Sequence, residues 1–285
     1  RSDEVFSEAF QDFRDNRLII ANRLAEQRGG LITIGEDDFP VGYGKTSQEV
    51  LLPAFLSAYT GTSASGISLN ALRDIPLPGW NIRYTGLMRY QFFKDKFKRV
   101  SLQHNYKATY SINAFRSNFD YDNDPNGTDS GGNYFPKTII SNVNLVEMFN
   151  PLIQIDTELK NSIQVKAAMK KDRTMSLSFD NNLLTEVQGY EYQLGLGYRI
   201  KDVVINTTLA DNATNTIRSD INLKADFTYR NNKTIVRYLD YDNNELGGGQ
   251  DMWSVKFTAD YAFSRNFTVL LYYDHSFSKA VISTA

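Results

Sequence analysis

The sequence predicts an all-β membrane protein: an antiparallel transmembrane β-barrel segment of about ten strands over residues 80–285, preceded by two helices in a helical and loop segment over residues 1–79. Three observations carry this. Apolar and polar residues alternate with period two for 13 to 15 residues in several segments, against ~5–6 residues for an ordinary strand and ~9–11 for one crossing lipid at a tilt of ~45°. The polar parities hold ionisable residues of both signs, as at Arg218, Asp220, Lys224 and Asp226. Aromatic residues, 17 Tyr and 18 Phe, collect on the apolar parities and often near strand ends, as Trp80, Tyr90, Trp253, Phe263 and Tyr273 do, although Tyr106 and Tyr110 sit mid-strand. Alternation alone does not say whether the apolar face meets a core or lipid, because soluble sandwiches and small barrels give the same stripes with the opposite sense.

Along the chain, "SDEVFSEAFQDFRDNRLIIANRLAEQRGG" places Val5, Phe6, Ala9, Phe10, Phe13, Leu18, Ile19 and Leu24 at helical spacing, with Gly29-Gly30 as a stop, and reads as one helix, with a break near Asn16 as the alternative. After a loop over residues 31–44, Thr46 and Glu49 have the spacing of a capping box that opens a second helix through Tyr59. "TGTSASGISLNALRDIPLPGW" reads as connecting chain. From Trp80 the period becomes two. Strands are expected over residues 80–90, 99–115, 137–148, 152–170, 174–182, 189–200, 217–230, 234–240, 251–263 and 267–277. Their turns are "FNP", "KDR", "NNK" and "SRN", alternating with polar loops over residues 117–136, 201–216 and 241–250. Long loops collecting on one edge is an outer-membrane barrel habit.

Composition narrows the function. Thirty-one Lys and Arg against 33 Asp and Glu give a net charge of −2, with no electrostatic reason to expect nucleic acid. The absence of cysteine removes disulfides, thiolate metal sites and a Cys nucleophile. The longest apolar run, "VLLPAFLSAY", is too short for a spanning helix and contains Pro53. A barrel, whose signal hydropathy averages miss, fits the mean hydropathy of −0.41. The chain starts at Arg1 without an initiator Met or signal peptide, which reads as a processed product or a fragment of something larger.

Candidate chemistry is weak. "GYGKTS" echoes a phosphate loop, but Phe39 stands where the motif needs glycine. "DYDND" (Asp120 to Asp124) and "DYDNN" (Asp240 to Asn244) resemble the start of a calcium loop, but Pro125 and Glu245 stand at the required glycine. The two histidines, His104 and His275, lie at apolar parity on different strands and make no triad. No metal site, cofactor or catalytic residue is expected.

The stretches "KTSQEVLLPAFLSAYTG", "DIPLPGWNIRYTGLMR", "RVSLQHNYKATYSINAFRSNFDY", "NPLIQIDTELKN", "LLTEVQGYEYQLGLGYRIKD" and "SDINLKADFTYRNNKTIVR" resemble, in the same order and over nearly the whole chain, the C-terminal part of the SprA (Sov) family. These are the giant outer-membrane translocons of the type IX secretion system in gliding and pathogenic Bacteroidota. The resemblance implies a single-chain barrel of about 36 strands, of which this chain is roughly the last third. It implies passage of folded cargo with type IX C-terminal signals from periplasm to cell surface. A PorV-like shuttle protein would occupy a lateral opening and a plug protein the periplasmic end, with energy from an inner-membrane motor and no enzymatic step. The chain departs from the family at "KAVISTA", where a final strand is expected and absent.

The resemblance gives the two faces a sense. Pore-lining residues are expected to be Arg83, Arg89, Gln103, Asn105, Lys107, Arg199, Arg218, Asp220, Lys224, Asp226, Lys256 and Asp260. The alternative is that they are simply solvated and carry no specificity. Facing outer-membrane lipid or a partner are Trp80, Ile82, Tyr84, Val100, Leu102, Tyr106, Tyr110, Ile112, Tyr192, Leu196, Ile221, Leu223, Phe227, Trp253, Phe257, Tyr261, Phe267, Leu271 and Tyr273. The two helices would pack on the barrel as a gate, cap or partner-binding element. The rival readings are a stand-alone porin-like channel for small solutes and a soluble surface β-sheet adhesion or binding protein.

Overall fold

Residues whose side chains alternate in character must pair with neighbours that alternate in phase, and the simplest solution is a meander. The structure, a computed structural model, describes residues 6–70, 77–208, 214–241, 243–264 and 267–281. It contains one antiparallel sheet with each strand beside its sequence neighbours: β1 (Trp80–Tyr84), β2 (Phe97–Ser117), β3 (Thr138–Leu159), β4 (Ile163–Ser178), β5 (Leu183–Thr208), β6 (Thr214–Tyr238), β7 (Asn243–Ser264) and β8 (Phe267–Val281). The sheet is open, with β1 and β8 as its two edges.

Eight strands stand where ten were expected, because three tripeptides that look like turns lie inside strands. "FNP" sits within β3, where Pro151 cannot donate to the ladder and the register shifts between Phe149 and Ile153. "KDR" and "NNK" run through β4 and β6 with their pairing unbroken: Lys171, Asp172 and Arg173 face Tyr190, Gly189 and Gln188, and Asn231, Asn232 and Lys233 face the same three residues from the other side. The reversal between β3 and β4 falls at residues 160–162, where Ser162 takes φ 69°.

Two expected loops are also mostly strand. β5 continues to Thr208 past a register shift between Ile200 and Val203, with Asp202 at φ 53°. β7 begins at Asn243 and absorbs its glycine run as a bulge opposite Thr234 and Ile235, with Gly248 at φ 151°. β1, conversely, stops at Tyr84; a 3-10 turn (Gly86–Arg89) and α3 (Gln91–Lys96) follow. Arg89 therefore leaves the strand face on which it was expected. Residues 118–137 do form a long connection, with a short helix α4 (Phe119–Asn123). Val5, residues 71–76 of the connecting chain, residues 209–213, Arg265 and Asn266 of "SRN", and the end of "KAVISTA" lie outside the described residues.

The N-terminal segment packs on one end of the sheet. α1 (Glu8–Arg28) is continuous through Asn16, whose amide donates to Ser57 Oγ at 2.8 Å. Ser7 Oγ caps its start by accepting from Phe10 N, and Gly29 ends it at φ 79°. α2 (Gln48–Thr60) is buried almost all round. Its cap is Ser47, not Thr46, and no capping box forms. The Gln48 amide instead donates to Thr138 O and accepts from Ile140 N, both at 2.8 Å, which clamps the helix start to the start of β3. Phe13, Ile20, Val50, Leu51 and Phe55 then share one core with Val143, Leu145, Met175, Leu177, Leu184 and Leu239. Each large apolar side chain so buried contributes about 1.5–3 kcal/mol.

Candidate membrane-facing and pore-lining faces

Pairing across the sheet puts every residue expected on the apolar side onto one face. Tyr192, Tyr229, Trp253 and Phe277 are successive partners, as are Leu196, Ala225, Phe257 and Tyr273, and Trp80 pairs with Tyr106. Away from the helices this face is bare: Leu196, Phe227, Phe257, Leu271 and Tyr273 are all exposed.

A row of rings borders the bare band on the side toward the helices. Ring centroids are 4.5 Å apart for Trp80 and Tyr106 and 4.8 Å for Tyr106 and Phe149. They are 6.3 Å apart for Tyr192 and Tyr229, 5.3 Å for Tyr229 and Trp253, and 5.6 Å for Trp253 and Phe277. Lys171 spans the gap on β4 by lying over Tyr190. At the opposite border Tyr261, Phe263 and Phe267 form a second, shorter group.

Beyond the ring row the same face turns polar and then disappears under the helices. Arg173 Nε donates to Glu147 at 3.0 Å, and Tyr106 OH to the same carboxylate at 2.9 Å. One row further, Arg237 and Glu186 form a fully buried pair at 3.0 Å. Tyr110 and Ile112 lie here, partly buried against the helical core, so they are not exposed as expected. Two more departures have local causes. Val100 is 2% exposed beside the 3-10 turn and α3, which touch β2. Tyr261 is 7% exposed, and its hydroxyl reaches across β6 to donate to Val203 O at 3.2 Å, just past the β5 register shift.

The other face carries the expected charged residues other than Arg89. Gln103 donates to Asp156, and Asn105 to Asn150 O at 3.1 Å. Arg199 donates to Asn222, which donates to Asp260 at 2.7 Å; Lys256 pairs with Asp274 at 3.0 Å; Asp220 accepts from the backbone of Asp202. Arg83, Lys107 and Arg218 are exposed. Lys224 and Asp226 line a cleft of about 210 Å³ with Lys166 and Gln164, floored by Gly195 and Gly197.

Sequence reasoning missed the strongest network on this face. Glu191 accepts from Lys170 and from Arg230, each at 3.0 Å, and Arg230 also reaches Asp172 at 3.1 Å. Misreading "KDR" and "NNK" as turns hid it, since Asp172 then fell inside a turn and Arg230 at a strand end.

The remaining motifs make structural contacts. In "GYGKTS", Gly44 N donates to Asn133 and Lys45 Nζ to Asp240 O at 3.1 Å, so the segment fastens loops together. Asp120 to Asn123 form α4, and among the described residues no cluster of His, Cys, Asp and Glu suits a metal ion. His104 donates from Nδ1 to Leu152 O, freed by the β3 register shift. In α2, burial pushes the Glu49 carboxyl above its ordinary range, and the nearby Arg28 charge offsets part of that rise. No family model matches the chain, and no curated protein matches it.

Proposed function

We propose that this chain is a segment of a bacterial outer-membrane β-barrel of the 36-strand kind, part of a protein-conducting translocon of type IX secretion that passes folded cargo from periplasm to cell surface. The observation that carries the membrane reading is the bare apolar band with its ring borders. Trp253 and Phe263 lie ten residues apart on one face of β7. At ~3.4 Å per residue and a tilt of ~45° they span roughly 24 Å, close to the ~25 Å apolar band of outer-membrane barrels. On the opposite face, mixed charge would keep a wide lumen hydrated without a uniform field to hold passing protein.

The translocon reading rests on the ordered resemblance to the SprA family. An open sheet with both edges unpaired supports it, since further strands can extend such a sheet on either side. In this reading the α1–α2 segment is a gate, cap or partner-binding element at one rim, and a PorV-like shuttle, a plug protein and type IX cargo are the partners. The barrel performs no covalent chemistry.

Native mass of the parent protein in mild detergent, combined with affinity purification, tests both levels. Recovery of a very large single chain with shuttle and plug subunits is expected. A particle with a mass near that of this chain refutes the giant barrel, and a parent protein folded and monomeric in plain buffer refutes the membrane assignment.

A further inference from the structure

The connection between β1 and β2 combines exposed aromatic rings with clustered cations at the sheet's rim. The segment from Arg89 to Lys98 reads "RYQFFKDKFK", placing four aromatic rings among four cations. Tyr90 and Phe92 are 62% and 60% exposed. Phe92 packs edge-on against Phe93 at 5.4 Å, and Phe93 contacts Phe97 at 5.9 Å. Lys96 Nζ lies 4.7 Å above the Phe92 ring, so apolar surface and positive charge are presented together.

Charge is unbalanced here. Arg89, Lys94, Lys96 and Lys98 are joined by Lys160, whose backbone N donates to Lys96 O at 3.2 Å, and all five are exposed. The carboxylates beside them are Asp95, which accepts from Gln91, and Glu158, which pairs with Lys98. The segment follows Tyr84 at the end of β1 and leads into the start of β2, at the border of the apolar band farthest from α1 and α2.

We infer that this segment is an interfacial anchor for phosphate-bearing anionic lipid headgroups: Tyr90 and Phe92 enter the headgroup layer, while Arg89, Lys94, Lys96 and Lys160 meet the phosphates. The inference rests on the membrane reading above and adds to it a headgroup charge preference and a place. Exposed rings next to unpaired lysines suit an apolar surface topped by negative charge better than an aqueous partner, which would give the rings no low-dielectric layer to enter.

The chain has no cysteine, so Phe92→Cys and, separately, Leu271→Cys in the bare band each accept a single environment-sensitive label. The full chain is refolded in detergent, mixed with brominated phosphatidylglycerol or brominated phosphatidylcholine, and quenching is measured. The label at position 92 is expected to be quenched more strongly by the anionic lipid. That preference should fall about fivefold per cation removed in Lys94→Gln with Lys96→Gln, and fade at high salt. Equal quenching of position 92 by both lipids, unchanged by the glutamine pair, overturns the anchor while leaving the membrane reading intact if position 271 is quenched. Position 271 quenched and position 92 silent overturns the anchor as well. Silence at both positions overturns the membrane reading and the anchor with it.

Discussion

Arg237 donates to Glu186 at 3.0 Å with both side chains almost wholly removed from solvent, and the Arg237 guanidinium lies 4.7 Å from the centre of the Phe10 ring. The pair sits on the same sheet face as the bare apolar band, at the point where α1 covers it. Two charges held under a helix cost desolvation that their attraction must repay. Removing one partner is therefore far worse than removing both. Arg237→Met is expected to lose about 3–5 kcal/mol in a urea titration, and adding Glu186→Leu to recover most of it. A double variant no more stable than the single would show that the pair is not the source of the loss.

Phe257 and Ser254 lie three residues apart on β7 and face opposite ways, Phe257 in the middle of the apolar band and Ser254 among Thr228 and Ser276. Arginine at the midplane of a barrel's lipid face costs about 2–4 kcal/mol. On the proposed membrane reading, Phe257→Arg is expected to destabilise the sheet in bilayers by that amount, with Ser254→Arg close to the parent. Equal sensitivity at the two positions would remove the distinction between the faces.

Gly189 faces Asp172 across the strand pair, and a methyl group there would come within 2.6 Å of the Asp172 carboxylate, which Arg230 holds at 3.1 Å. The carboxylate cannot swing aside without giving up that contact. Gly189→Ala is expected to cost about 1–3 kcal/mol by overpacking. In an Asp172→Ala background, where Arg230 keeps Glu191 at 3.0 Å, the same substitution should cost much less. A penalty of the same size in both backgrounds would trace it to the backbone instead.

These examples also mark what was legible. Parity is a local property, so Trp80, Leu102, Leu196, Phe227 and Phe257 could be assigned to one face from their neighbours in sequence alone. Strand ends were less legible, because polar tripeptides that form turns in water also form cross-strand ion pairs inside a sheet: Asp172 and Arg173 in "KDR" satisfy their charge on Arg230 and Glu147. That the two helices pack on the sheet was expected, but not that they cover Tyr110, Leu145 and Leu184, since this depends on which end of the sheet α1 and α2 reach, and no short-range pattern encodes that.

Glu49 gives the helical end a pH signature. Burial raises its carboxyl pKa above the unfolded value, so the folded chain binds the proton more readily than the unfolded one. Stability from this group is present at low pH and is lost as pH rises through the window from the ordinary glutamate range up to the raised value. Glu49→Gln removes that loss. The variant is expected to melt higher than the parent at neutral pH, with the gap closing below the ordinary glutamate range. A gap that stays constant with pH would mean that the carboxylate's charge is not what burial penalises.

Lys224 and Phe227 provide the sharpest test of sidedness, because they are three residues apart on β6 and both exposed, one on each face. If the parent protein inserts into a membrane as proposed, Lys224→Cys looks into water and Phe227→Cys into acyl chains. A charged maleimide needs a hydrated thiolate, so it should modify position 224 readily and position 227 only after detergent or denaturant opens the sheet. A lipid-soluble maleimide should reverse the order. If the sheet were instead folded around a soluble core on its apolar side, position 227 would resist both reagents until unfolding. Labelling of position 227 by the lipid-soluble reagent alone is therefore the outcome that separates a bilayer from a protein interior, which burial and hydropathy describe in the same terms.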